Sequence, residues 1–247
     1  MNEKSVLASA VVAVAFGAVS APAFADNAAS GVSVSANVGL VTDYRFRGIS
    51  QNLAGTPASN QPEAALQGGF DVDFGNGFYV GNWNSNVNFS GSTLEMDLYG
   101  GYSGEYNGLS YDVGALYYYY PGANTAGGNI DPDTLELYGS LGFYGFTLGL
   151  SYNTSNDLFG VANNDGATYT HLDYEYPLSE AIGLVAHYGT TQYEDGTSTD
   201  YDDYSLGVTY AAHGFDFGLT YVDTDIDGAA KNDTNDGTVV FSVSKSF

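Results

Sequence analysis

Cysteine is absent from the 247-residue chain, which excludes disulfides and thiolate metal sites. Positive charge is nearly absent as well. Five Lys and Arg stand against 29 Asp and Glu, a formal net charge of −24. Nucleic acid is therefore excluded as a partner, because phosphate recognition needs many basic side chains. Past residue 25 no apolar run is long enough to cross a bilayer as a helix. What the chain does have is 22 Tyr, 14 Phe and 33 Gly. That mixture favours strands and tight turns, and the aromatic content argues against the disorder that such acidity could otherwise bring.

The first residues, MNEKSVLASAVVAVAFGAVSAPAFA, read as an export signal. Lys4 supplies the positive end, 6–19 an uncharged apolar core, and Ala23-Phe24-Ala25 a small-x-small cleavage site. The expected organisation is a signal peptide over 1–25, removed on export, and one domain over 26–247. Glu3 and Lys4 cancel, so the mature chain keeps its charge.

From residue 30 onward the hydrophobic period is two. Val34, Ala36, Val38 and Leu40 alternate with small polar residues. Leu66, Phe70 and Val72 alternate with Asp71 and Asp73. Leu94, Met96 and Leu98 oppose Glu95 and Asp97; Leu135 and Leu137 oppose Glu136; Leu172, Tyr174 and Tyr176 oppose His171, Asp173 and Glu175. In FYVGNWNSNVNF the two sets are Tyr79, Trp83, Val87, Phe89 and Asn82, Asn84, Asn86, Asn88. Twelve strands are expected. Long polar connections (48–63, 120–133, 153–167, 190–202, 223–236) alternate with short ones, except for a short link at 90–92.

An even strand count, with tight turns on one side and long loops on the other, predicts an all-β fold. Its form is an antiparallel transmembrane β-barrel of the outer-membrane type. A soluble β-sandwich also alternates. It would carry a solvated charged exterior, whereas the polar face here is Gly, Ser, Asn, Thr and scattered acids. Aromatics mark both strand ends: Tyr44, Phe46, Tyr117 and Tyr119 near the long loops, Phe74, Tyr102, Phe143, Phe146, Tyr176, Tyr210 and Phe215 near the short turns. Two aromatic girdles suit the two membrane interfaces.

The segments NVGLVTDYRFRGISQ and QGGFDVDFGNGFYVGNWNSNV, with the terminal SVSKSF, resemble the TorF-type porin family of proteobacteria. The likeness is densest over 37–87. It implies an outer-membrane location and pore activity, without naming a solute. The final Phe247 is similar to the ends read by the outer-membrane assembly machinery, although Lys245 departs from that pattern.

Two arginines in a chain so poor in bases invite an explanation. With Tyr44 and Phe46 facing lipid, Asp43, Arg45 and Arg47 would face the lumen. Arginine on the lipid face would cost about 2–4 kcal/mol at the midplane. The arginines either neutralise the wall carboxylates Asp71, Asp73, Glu95, Asp97, Glu136, Asp173 and Glu175, or form a charged constriction. His171 and His187 are expected opposite one another across a hairpin turning at Ser179. Such a pair binds a transition metal, senses pH, or is simply hydrogen-bonded. The run DTDIDG at 223–228 places Asp223, Asp225 and Asp227 at calcium-loop spacing, but Thr234 stands where the closing Glu belongs. It is either a weak Ca2+ or Mg2+ site or a solvated acidic loop; no other cofactor is expected. With Glu194, Asp195, Asp200, Asp202 and Asp203 it makes an acidic outer mouth, drawing cations or divalent bridges to lipopolysaccharide. With no G-x-S-x-G motif and His213 in a turn, no enzyme is expected. The expected function is passive diffusion of small polar solutes or ions. The alternative is a non-conducting receptor, adhesin or structural barrel in the same lipid.

Overall fold

A computed structural model describes residues 31–52, 63–123, 132–227 and 233–247. The expected signal peptide and part of the first long connection lie outside the described residues. Twelve strands close one barrel: β1 (Ser33–Val41), β4 (Ala65–Asp73), β5 (Phe78–Phe89), β6 (Ser92–Tyr106), β7 (Leu109–Tyr119), β8 (Thr134–Phe143), β9 (Phe146–Asn153), β10 (Thr168–Pro177), β11 (Ile182–Gln192), β12 (Tyr201–Ala212), β13 (Phe215–Thr224) and β14 (Thr238–Ser246). Each pairs antiparallel with its neighbours, and β1 meets β14, from Asn37↔Ser246 to Val41↔Ser242. The terminal residue extends this seam, with Phe247 and Ala36 exchanging backbone hydrogen bonds at 2.8 and 3.2 Å. Two further strands, β2 (Arg45–Phe46) and β3 (Ile49–Ser50), form a separate hairpin.

Most short connections are turns whose backbone needs positive φ; the one over 177–181 does not. Asn107-Gly108, Tyr144-Gly145 and His213-Gly214 each supply it with a glycine second. The exceptional link at Ser90-Gly91 is of the same kind, on the long-loop side. The exterior is apolar and exposed: Val34, Leu66, Phe70, Val80, Leu98, Leu137, Leu148, Leu206, Leu219 and Phe241 all point outward. Such a belt has no place in water and fits the hydrocarbon of a membrane. Closure leaves no unpaired edge there. The turn-side girdle stands as expected, with Phe74, Tyr102, Phe143, Phe146, Tyr176, Tyr210 and Phe215 exposed. At the loop side Tyr117 and Tyr119 are joined by Tyr152, Tyr188, Tyr204 and Tyr221.

Two expectations are overturned. Tyr44 and Phe46 are not lipid-facing: they are 1% and 9% exposed, because the wall ends at Val41 and the chain turns into the lumen. Strand β5 also has the opposite phase from its composition. Tyr79 pairs with Asp73, Gly81 with Asp71 and Trp83 with Gly69. Directly opposed residues share a face, so Tyr79, Trp83, Ser85 and Val87 go inside with the acids. Asn82 and Asn84 go outward, opposite Leu98 and Met96. They are tolerated because the amides bond each other, at 2.6 and 3.3 Å, and the carbonyls of Gly68 and Asp97.

Candidate functional site: the filled end of the lumen

Beyond Val41 the chain folds across the barrel as the β2–β3 hairpin, turning at Arg47 (φ 47°) and Gly48 (φ 79°). The tip is pressed on the far wall. A Cβ on Gly48 would lie 2.4 Å from Thr224 Cγ2 and 2.9 Å from the Asp203 Cβ. Tyr44 and Phe46 pack among Val41, Ala65, Val87, Leu116, Tyr118, Tyr120, Val222 and Val240, all buried. At this level the lumen is a hydrophobic core, and each buried aromatic contributes about 1.5–3 kcal/mol.

Polar ties hold the hairpin in register. Arg45 Nε donates to Asp43 Oδ2 at 2.6 Å, and its Nη1 donates to the carbonyls of Gly48, Thr234 and Asp236. Arg47 Nη2 reaches both oxygens of Glu136 on β8, each at 2.8 Å. Its guanidinium carbon lies 4.2 Å from the Tyr169 ring centre, 4.8 Å from Phe46 and 5.6 Å from Phe159. The amide of Asn52 donates to the Asn86 carbonyl at 2.8 Å. The two arginines thus sit on an inward hairpin and not on the wall, and their carboxylate partners are Asp43 and Glu136.

Several lumen acids are partnered by tyrosine. The Tyr44 hydroxyl donates to Glu95 (2.7 Å), Tyr99 to Asp71 (2.5 Å), Tyr79 to Asp112 (2.7 Å) and Tyr118 to Glu136 (3.3 Å). Tyr79 and Tyr138 also share a short hydrogen bond. Sequence reasoning sought basic partners and missed this. The signal was the composition itself, 22 tyrosines beside five bases. Asp97 differs again: it is 6% exposed and its Oδ1 has no hydrogen-bond partner among the described residues.

Other expected residues divide. Asp71, Asp73, Glu95, Asp97, Glu136, His171, Asp173, Glu175 and His187 lie on lumen-side positions of their strands. The histidines are not directly opposed. His187 pairs with Asp173, and His171 with Gly189. The turn centres on Glu180, since Leu178 and Ser179 both donate to the Ile182 carbonyl, and this shifts the register by two. The rings still stack, 5.9 Å apart. Asp223, Asp225 and Asp227 do not converge. Asp223 accepts from the hydroxyls of Tyr221 and Tyr204, Asp225 accepts the Asp202 N–H, and Gly228 lies outside the described residues. In the loop before β12, hydrogen bonds from the Ser198 N–H and hydroxyl, then from Thr197, hold the Asp195 carboxyl well below the usual range.

The family described as "Bacterial protein of unknown function (Gcw_chp)" matches residues 25–247. The chain belongs to this family. The match does not by itself confirm the TorF-type resemblance read from 37–87. No curated protein matches the sequence. Among solved structures, the KdgM porin matches with a TM-score of 0.54 at 8% identity, over 86% of this chain and 99% of that one. The NanC porin matches at 0.51 and 10% identity, over 86% and 98%. A KdgM porin in complex with disordered oligogalacturonate matches at 0.52 and 8% identity, over 87% and 98%. At these identities the family member shares a fold with the porins, a closed twelve-stranded outer-membrane barrel.

Proposed function

We propose that this protein is an outer-membrane channel of porin type that passes small polar solutes or ions, with a preference for cations. The barrel supports a pore, and so does its turn-side lumen, where Ser35, Ser103, Ser140, Thr147, Thr209 and Ser244 are partly exposed. The charge preference rests on one observation above others. Asp71, Glu95, Asp97, Asp112 and Asp203 all stand buried on lumen-side positions of the wall. Lumen acids outnumber the two hairpin arginines, and both of these are already neutralised by carboxylates. An anionic oligosaccharide, such as the oligogalacturonate of one structural neighbour, would be repelled by this wall. The acidic loops would hold Ca2+ or Mg2+ loosely, against lipopolysaccharide phosphates. Phe247 would be presented to the assembly machinery.

A second reading has its own support. The hairpin is packed tightly enough to close the lumen, and then the barrel would be a receptor, adhesin or structural protein. Neither reading includes an enzymatic step. The reversal potential of the bilayer-inserted barrel across a KCl gradient separates them. A cation-selective potential, weakened by Asp97→Asn, supports the channel. An electrically silent, folded barrel supports the second reading.

A further inference from the structure

We infer that His171, Asp173 and His187 form a binding site for one divalent transition-metal ion of the zinc class in the lumen wall. His171 and Asp173 are two apart on β10 and so share its lumen side, and His187 is Asp173's cross-strand partner on β11. One ligand atom from each lies within 4.8 Å of the others. His171 Nδ1 is 2.8 Å from Asp173 Oδ2, and His187 Nδ1 is 2.5 Å from Asp173 Oδ1. Both imidazoles therefore turn the same nitrogen toward one carboxylate.

The surroundings orient those nitrogens. His187 Nε2 lies 3.0 Å from Asp203 Oδ1, and the Tyr169 hydroxyl donates to the same carboxylate. The Tyr169 hydroxyl is also 2.8 Å from Nε2, so hydroxyl and carboxylate together hold that nitrogen while Nδ1 faces Asp173. A ring nitrogen and a carboxylate 2.5 Å apart share a proton, and a metal ion binding here would release it. A carboxylate on the outer nitrogen is the arrangement that fixes a metal-binding histidine. Space is reserved as well. His171 is flanked in register by Gly149 and Gly189, and a Cβ on Gly149 would lie 2.1 Å from its Nε2. A Cβ on Gly189 would meet the Tyr169 hydroxyl at 2.2 Å.

The donor set selects the ion. Two imidazoles and one carboxylate suit Zn2+, Ni2+ or Cu2+ and not the oxygen-seeking Ca2+ or Mg2+. Bonds of about 2.0–2.2 Å need only a small spreading of the three side chains, and the remaining coordination position faces the lumen.

The test is Zn2+ titration by calorimetry of untagged barrel (residues 26–247) refolded in detergent, with Co2+ absorption as a spectroscopic check. One Zn2+ per chain is expected, with a Co2+ band in the visible. Binding should vanish in His171→Ala and His187→Ala and persist in His213→Ala. Asp203→Asn should weaken it by roughly 10–100-fold. Folding of each variant is checked by heat-modifiable migration; if His187→Ala does not fold, His171→Ala decides. A folded wild type that binds no stoichiometric Zn2+, or binding retained in folded His171→Ala, overturns the assignment.

Discussion

Toward the long loops, the wall strands present Val41, Ala65, Val87, Leu116, Val222 and Val240 to the lumen, around a hairpin that carries two buried ion pairs. Toward the short turns, the same strands present Ser35, Ser103, Ser140, Thr147, Thr209 and Ser244, partly exposed to the interior. One barrel thus holds a packed core at one end and a polar, partly exposed vestibule at the other. The difference teaches where each property resides. Resistance to unfolding beyond the barrel ladder itself belongs to the filled end, and on the proposed reading so does control over passage. The vestibule is free to vary.

The sharpest way to break this contrast is Arg47→Ala. It leaves the Glu136 carboxylate, 2% exposed, without the Nη2 donor that reaches both its oxygens. Loss of about 3–5 kcal/mol is expected, because an uncompensated charge stays buried. Urea unfolding in detergent measures it, and Arg47→Ala with Glu136→Gln should recover most of the loss. Next is Tyr44→Phe. The ring still packs, but Glu95 loses its 2.7 Å donor, and a cost of about 1–3 kcal/mol is expected by the same measurement. Gly48→Ala sharpens the contrast differently. The new methyl would crowd Thr224 and Asp203, so the hairpin tip must lift, and the expected readout is faster proteolysis near the tip in the folded barrel. At the vestibule, Ser140→Ala should change stability by no more than about 0.5 kcal/mol. A cost there matching Tyr44→Phe would erase the distinction between the two ends.

Much of this was legible in the residues. Strict alternation of Leu135, Leu137 and Leu141 with Glu136 and Ser140 placed β8 correctly, and the short connections at 104–108 and 144–145 placed its neighbours. The inward hairpin was not legible, because Tyr44 and Phe46 continue the phase of β1. The only local signal was Arg47-Gly48, and nothing there says that a turn leaves the wall. The phase of β5 was hidden for another reason: Trp83 is as apolar as any lipid-facing residue. Its side is set by pairing with Gly69, beside Asp71, a long-range contact. The acids stand on lumen-side positions of their strands, but their tyrosine partners come from other strands and need closure of the barrel to be seen. The histidine register failed by the length of one turn.

The most direct test of the account is single-channel conductance of the refolded barrel in a planar bilayer, compared with the Arg47→Ala/Glu136→Gln double variant. The account predicts small discrete steps for the wild type, and larger, more cation-selective steps once the hairpin's main tie is removed. Silence from both folded proteins, or identical conductance, would contradict the claim that the hairpin is the constriction of a channel.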